Sequence, residues 1–575
     1  MFKYTVFSFL VPFFFSFASF AQESKDNINP EIATEISAPS LAKGKDFMVV
    51  TADPDATRAA YDILESGGTA ADAAIAAQLV LGLTEPQSSG LGGGAFVLYY
   101  DAASKSLTTL DGRETAPKAV TEDLFLNADG TSIDFWDAVL SGKSIGVPGT
   151  PKLLEDLHKR FGRKSWSELF EEPIKLSTEG FKVSDRLSQL IEVDRGKLDQ
   201  HLSSRQYFYD ENLNPRKSGN VLKNPDYAQT LEAFRDKGAS IFYKGPTGRE
   251  IVSSARAVGS DLVLSDLAAY EVIERSPVCA EFSELFKDPK KICSMAEPSS
   301  GGLTLLQIFK FMEHSSSSSQ TLSYLEGSRL AFADRNAFIA DPVYLDQTPL
   351  KDYLLNEAYL KDRAGLIGNK ARSEIKAGNP FDQQYAPQAQ DRENGTSHIS
   401  IIDSYGNVLS MTTTIENAFG SRIMVGGFLL NNEMTDFAFV PEIEGQKVAN
   451  RVGGGKRPRS SMAPAIVFNA AGEAELVIGS AGGSRIIGYV AHKILQTYFT
   501  DLELDQVLAT PHLLSRGDYI ELEETSSLDP EIFKNLGYED VRQGSQTSGL
   551  TAILAKDGLL SGAADPRRNG LALGK

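Results

Sequence analysis

After residue 396 the chain changes its period. Ser397-His398-Ile399-Ser400-Ile401-Ile402-Asp403 and Asn407-Val408-Leu409-Ser410-Met411-Thr412-Thr413-Thr414-Ile415 alternate on either side of Tyr405-Gly406. That is the pattern of two strands joined by a turn. Directly before the first strand stands Asn394-Gly395-Thr396. A Thr that follows a Gly at the head of a strand can cut its own chain, and the α-amine so freed is a base for the same hydroxyl. The residues also read as an ordinary Asn-Gly turn or a glycosylation sequon. On these few residues alone all three readings stay open.

A chain of 575 residues can form several average domains or one large one. Its formal net charge of −19 excludes nucleic acid as a partner, which would need a basic face. Lys3, an apolar run over 5–20, and Ser19 and Ala21 at small-residue positions read as a signal peptide over 1–21, cut after Ala21. The run is shorter than the roughly 20 residues of a membrane span, so an exported periplasmic or extracellular protein without a membrane anchor is expected. Cys279 and Cys293 lie in short runs, 277–282 and 290–295, that read as a hairpin. An even pair in an exported chain suggests a disulfide, with two buried thiols as the alternative. His158, His201, His314, His398, His492 and His512 show no metal-ligand spacing. Neither a metal nor a cofactor is expected.

Residues 22–44 are polar and read as an unordered leader. A helical pattern over 57–85 is broken at Gly67-Gly68, and its second half is Ala-rich and apolar nearly all round, hence buried. Ser89-Gly90-Leu91-Gly92-Gly93-Gly94-Ala95 matches G-x-G-x-x-A, but a helix precedes it and a strand over 95–100 follows. That is the reverse of a dinucleotide site, so the glycines are expected to allow close backbone packing. Helices dominate 137–280, and another is expected over 327–341. The run of serines over 315–319 reads as a loop, and 374–394 as a flexible surface segment. A second hairpin over 464–468 and 475–478 precedes a helix over 484–499. Hairpin strands mixed with long helices argue an α+β fold with helices covering the sheets.

Seven segments, taken in order, resemble the γ-glutamyltranspeptidase family of N-terminal nucleophile hydrolases. They are Glu85-Pro86-Gln87-Ser88-Ser89-Gly90-Leu91-Gly92-Gly93-Gly94, Asp111-Gly112-Arg113-Glu114-Thr115-Ala116-Pro117 and Pro298-Ser299-Ser300-Gly301-Gly302. Then come Asn394-Gly395-Thr396-Ser397-His398, Leu429-Leu430-Asn431-Asn432-Glu433-Met434-Thr435-Asp436-Phe437, Arg457-Pro458-Arg459-Ser460-Ser461-Met462 and Gly479-Ser480-Ala481-Gly482-Gly483-Ser484-Arg485. The resemblance covers nearly all of the mature chain. It implies a four-layer αββα fold, made as a precursor and cut between Gly395 and Thr396 into a large subunit (22–395) and a small one (396–575) that together form one domain.

The same resemblance assigns roles. Thr396 is the nucleophile and Thr414 its hydrogen-bonding partner. Gly482 and Gly483 form the oxyanion hole. Arg113 takes the carboxylate of a γ-glutamyl group, Ser460 and Ser461 are its hydroxyl partners, and Glu433 and Asp436 hold the ammonium. The implied substrates are glutathione-like γ-glutamyl amides, with water or an amino acid or peptide as acceptor. Two departures stand out. Glu416 occupies a place where many members carry an Asn that contacts the glutamyl group. Residues 437–459, which carry an aromatic lid residue in some members, contain no Tyr or Trp, and Phe439 is their one later aromatic. Both leave room for an acylase of the same fold, of the cephalosporin-acylase kind, that takes bulkier acyl donors. An inactive periplasmic binding protein is the remaining alternative, against which the intact Thr396, Thr414, Gly482 and Gly483 argue.

Overall fold

The computed structural model describes residues 40–346, 348–381, 384–388 and 395–575. The expected signal peptide, most of the leader and Asn394 lie outside the described residues. In chain order the strands of the two large sheets are β1 Ser40–Gly44, β2 Met48–Thr51, β3 Gly94–Asp101, β4 Ser106–Gly112, β5 Ile273–Arg275, β6 Val278–Phe282 and β7 Lys290–Ser294. They continue with β8 Gly395–Ile402, β9 Val408–Glu416, β10 Ala465–Phe468, β11 Ala474–Gly479, β12 Thr551–Lys556, β13 Leu559–Ala564 and β14 Leu571–Gly574. One sheet runs β14-β2-β8-β9-β3-β4-β5 and the other β1-β13-β12-β11-β10-β7-β6. Strands from before and after residue 396 interleave in both.

Alternation along the strands sets the layers. In the first sheet Val49, Ala95, Val97, Tyr99, Ile399, Ile401, Leu409 and Met411 form a core with helices α1 Pro54–Glu65, α2 Ala70–Thr84 and α3 Thr150–Phe161. Met48, Val50, Phe96, Leu98 and Tyr100 point the other way, into the core shared with the second sheet. Helices α4 Gly301–His314, α5 Gln320–Phe338 and α6 Ile486–Phe499 cover the far side of that sheet. The result is the expected αββα order.

Local signals explain the elements. Asp53 caps α1 by accepting from the Asp55 and Ala56 N–H groups, and Thr69 with Asp72 forms a capping box on α2. Every residue of α2 is buried, as its all-round apolar pattern requires. Among the glycines between α2 and β3, a Cβ on Gly93 would lie 1.9 Å from the Thr414 carbonyl oxygen, so close backbone packing is their use. Cys279 and Cys293 are cross-strand partners on β6 and β7 and are disulfide-bonded, with Cα atoms 4.1 Å apart.

Two expectations change. Helix α5 begins seven residues before the expected 327, because Ser319, the last of the serine run, caps it by accepting from the Leu322 N–H at 3.2 Å. The segment expected to be flexible lies at the surface, as expected, but its described parts are held to the rest of the chain at three points. The Gly378 N–H donates to Asp334, the Ala386 N–H to the Lys447 carbonyl and the Gln388 N–H to the Asn336 carbonyl.

Candidate active site

Thr396 lies at the start of β8, in the middle of the first sheet, and is buried. It faces Thr414 on β9, but the register slips by one between Gly395 and Thr396, so that Gly395 faces Glu416. Ile415 is the extra residue of a bulge, and Glu416 just beyond it is held at φ +74°. The bulge aims one side chain at the 395–396 peptide. The Thr414 hydroxyl donates to the Gly395 carbonyl at 2.5 Å and accepts from the Glu416 N–H at 2.8 Å. Gly395 has no space for a side chain, since a Cβ would lie 2.7 Å from the Glu416 carbonyl oxygen.

Two charged residues that the motifs had not assigned flank this point. Arg568 donates to the Thr396 carbonyl at 2.9 Å, and Glu85 accepts from the Ser397 hydroxyl at 2.8 Å. Burial pushes the Glu85 carboxyl up, against the opposing charge of Arg568. Glu85 stands in the first quoted segment, which was a signal. Arg568 follows Asp565-Pro566-Arg567 near the chain end, where nothing in the sequence distinguishes it from a surface arginine. The buried His398 is held down to about 3 by desolvation and is therefore neutral, with Nδ1 2.7 Å from the Thr412 hydroxyl.

Gly482 and Gly483, at φ +122° and +61°, lead from β11 into the turn before α6. The first N–H groups of such a turn point away from the helix and have no intrahelical acceptor. Strand β11 reaches β8 at Gly479, where a Cβ would lie 2.1 Å from His398 Cε1.

The residues expected to bind substrate form one buried cluster. Arg113 follows β4 and pairs with both Glu433 and Asp436, with Glu114 4.0 Å away. It also donates to the Pro458 and Arg459 carbonyls at 3.2 and 2.9 Å, directly before Ser460 and Ser461. Glu416 accepts from the side-chain amide of Asn432, the neighbour of Glu433. Glu416, just beyond the bulge, thus joins the Thr396 and Thr414 end to the Arg113 end. Glu433 and Asp436, expected as partners of an ammonium, here neutralise Arg113. Burial pushes Glu114 up to about 7 despite Arg113 beside it.

Beyond Asp436, Phe439 stacks on Phe125 with ring centroids 4.4 Å apart, and so belongs to a small satellite core. An aromatic from outside the segment touches it instead: the Tyr344 hydroxyl donates to the Gly454 carbonyl at 2.7 Å. Among the described residues no group of three or more His, Cys, Asp or Glu side chains could hold a metal ion, and no helix is long and apolar enough to cross a membrane.

Residues 56–574 match the family model described as Gamma-glutamyltranspeptidase. The chain belongs to this family. It is 35% identical over 556 residues to the glutathione hydrolase proenzyme of Bacillus subtilis strain 168, covering 92% of each chain. To that of Escherichia coli K12 it is 33% identical over 548 residues, covering 91% of each. A crystal structure of cephalosporin acylase from Bacillus halodurans superposes with a TM-score of 0.82 at 21% identity, covering 95% of this chain and 99% of the other. That likeness is one of fold. The γ-glutamyltranspeptidase assignment makes the chain a hydrolase/transferase, and the fold is that of an N-terminal nucleophile hydrolase.

Proposed function

We propose that this chain is a precursor that cuts itself between Gly395 and Thr396, and that Thr396 then carries γ-glutamyl groups from glutathione-like amides to water or to an amino acid or peptide. The observation that carries the reading is the Thr414 hydroxyl on the Gly395 carbonyl. Attack of Thr396 Oγ on that carbonyl places negative charge on an oxygen that already accepts a buried hydrogen bond. The C–N bond breaks, the nitrogen takes the hydroxyl proton, and water hydrolyses the ester. This leaves a carboxylate at Gly395 and a free α-amine at Thr396. The interleaving of strands in both sheets supports subunits 22–395 and 396–575 that stay in one domain.

In catalysis the α-amine takes the Thr396 hydroxyl proton as Oγ attacks the γ-carbonyl. The Gly482 and Gly483 N–H groups receive the oxyanion, and the leaving amine receives the proton. For the donor, Arg113 with Ser460 and Ser461 exchanges its present pairing for the α-carboxylate. Glu433, Asp436 and Glu416 take the ammonium. The names of the relatives, glutathione hydrolase proenzymes, support both the processing and the donor class. Export is supported by the disulfide, which persists in an oxidising compartment.

Purified protein is expected to show two chains of roughly 40 and 20 kDa, and Thr396→Ala a single uncut one. Release of aniline from a γ-glutamyl anilide should exceed release from a glutaryl anilide, which lacks the α-amine. A single uncut band from wild type would overturn the processing. A preference for the glutaryl compound would overturn the donor class in favour of an acylase.

A further inference from the structure

Behind the two serines of the carboxylate subsite lies a second buried arginine, Arg335 on α5. Its Nη2 donates to the Ser461 hydroxyl at 2.6 Å and its Nε to the Ser300 hydroxyl at 2.8 Å. Ser300 in turn grips the neighbouring residue. Its N–H and its hydroxyl both donate to the Ser460 carbonyl, at 2.7 and 2.8 Å. One planar guanidinium therefore fixes the Ser461 side chain directly and the Ser460 backbone through Ser300. A closing contact runs the other way, from Arg459 to the Arg335 carbonyl at 3.1 Å.

The direction of these bonds is what matters. A hydroxyl oxygen that accepts from a guanidinium has its own hydrogen turned away from it. Ser461 is thereby set as a donor, and a charged group behind it strengthens the bond it gives. The Ser460 hydroxyl is set the same way, accepting from the Met462 N–H at 3.2 Å.

Resting on the γ-glutamyl reading above, we infer that Arg335 is a positioning residue for the donor's α-carboxylate. Arg113 meets the carboxylate directly, while Arg335 orients and polarises Ser461 and holds Ser460 in register. It makes the enzyme selective for acyl donors that carry a carboxylate beside the ammonium. Arg335 touches no reacting atom, so its influence falls on donor binding and not on the acyl transfer step.

The test compares two donors on the processed enzyme: L-γ-glutamyl anilide, and 4-aminobutyryl anilide, which keeps the ammonium and lacks the carboxylate. Arg335→Lys keeps the charge but not the fork. It is expected to raise KM for the γ-glutamyl donor about 10- to 100-fold, the worth of a charge-assisted bond, with kcat within about threefold. KM for the 4-aminobutyryl donor should move less than about threefold. In a Ser461→Ala background the same substitution should cost clearly less than in wild type, because the direct partner is gone and only the hold on Ser460 through Ser300 remains. Should Arg335→Lys not mature, Ser300→Ala carries the test. It removes the hydroxyl that links Nε to the Ser460 carbonyl, and its smaller loss should be confined to the γ-glutamyl donor. Equal losses on both donors, or full additivity with Ser461→Ala, would overturn the role of Arg335. If wild type itself handled the two donors equally, the γ-glutamyl reading would fall whatever the variants did.

Discussion

Replacing Thr414 by Ala removes one hydroxyl at the point where the proposed self-cleavage begins. Two buried bonds go with it: the 2.5 Å bond to the Gly395 carbonyl and the 2.8 Å bond accepted from the Glu416 N–H. The first is aimed at the oxygen on which charge would develop in the proposed cleavage, and losing such a donor raises a barrier by about 3 kcal/mol. The second leaves a buried N–H without its acceptor, which costs about 1–3 kcal/mol of stability. That loss also loosens the bulge that aims residue 414. Self-cleavage should slow by about 10²- to 10³-fold. Thr414→Ser keeps the hydroxyl and both bonds, and should mature within about tenfold of wild type. The assay is a time course of the two chains on a denaturing gel after synthesis, with thermal unfolding of the uncut precursors alongside. Cleavage of Thr414→Ala at the wild-type rate would refute the reasoning. So would a Ser variant as slow as the Ala variant, since the hydroxyl would then not be the active feature.

Gly395→Ala places a Cβ 2.7 Å from the Glu416 carbonyl oxygen; the strand must shift, and cleavage slower by about tenfold or more is expected on the same gel. Burial holds Glu114 at about 7, so the folded chain keeps a proton that the unfolded chain loses near pH 4 to 5. Stability at this group therefore falls as pH rises from about 4.5 to 7 and stays lower above it. Glu114→Gln should raise Tm by a few degrees at pH 8 and by much less at pH 5, and a gain of equal size at both would count against it. Reducing the Cys279–Cys293 bond, which closes a separation of 14 residues, should destabilise the β6–β7 edge by about 3 kcal/mol. Thiol treatment should lower Tm yet leave most of the anilide turnover, because that hairpin lies at the edge of the second sheet.

The residues of the chemistry were legible as types and as order. Gly395 before Thr396, the paired strands after it and the glycine pair at 482–483 each carry a local rule: a small residue before a nucleophile, a period of two, a loop opening a helix. Arg113 and the acids at 416, 433 and 436 were legible only through the resemblance, because a charged residue alone reads as surface. Their mutual pairing was not legible at all. Neither were Arg335 and Arg568, which look like ordinary arginines until helix α5 and the chain end are packed against the site.

Sequence alone therefore determined which elements form. Alternation, caps and turn residues act over a few positions, and they specified the two hairpins and helices α1 and α2, while the bond between Cys279 and Cys293 stayed open until their strands were paired. Tertiary structure decided what each polar group faces. The one-residue slip at Ile415, which turns the Thr414 hydroxyl onto the Gly395 carbonyl, depends on how β8 and β9 pack beside Gly93 and the 429–432 segment. The clamp of Arg335 on Ser300 and Ser461 joins three stretches far apart in the chain. Burial then gives these contacts their weight, because a hydrogen bond or a charge shielded from water counts for more than the same pair in solvent.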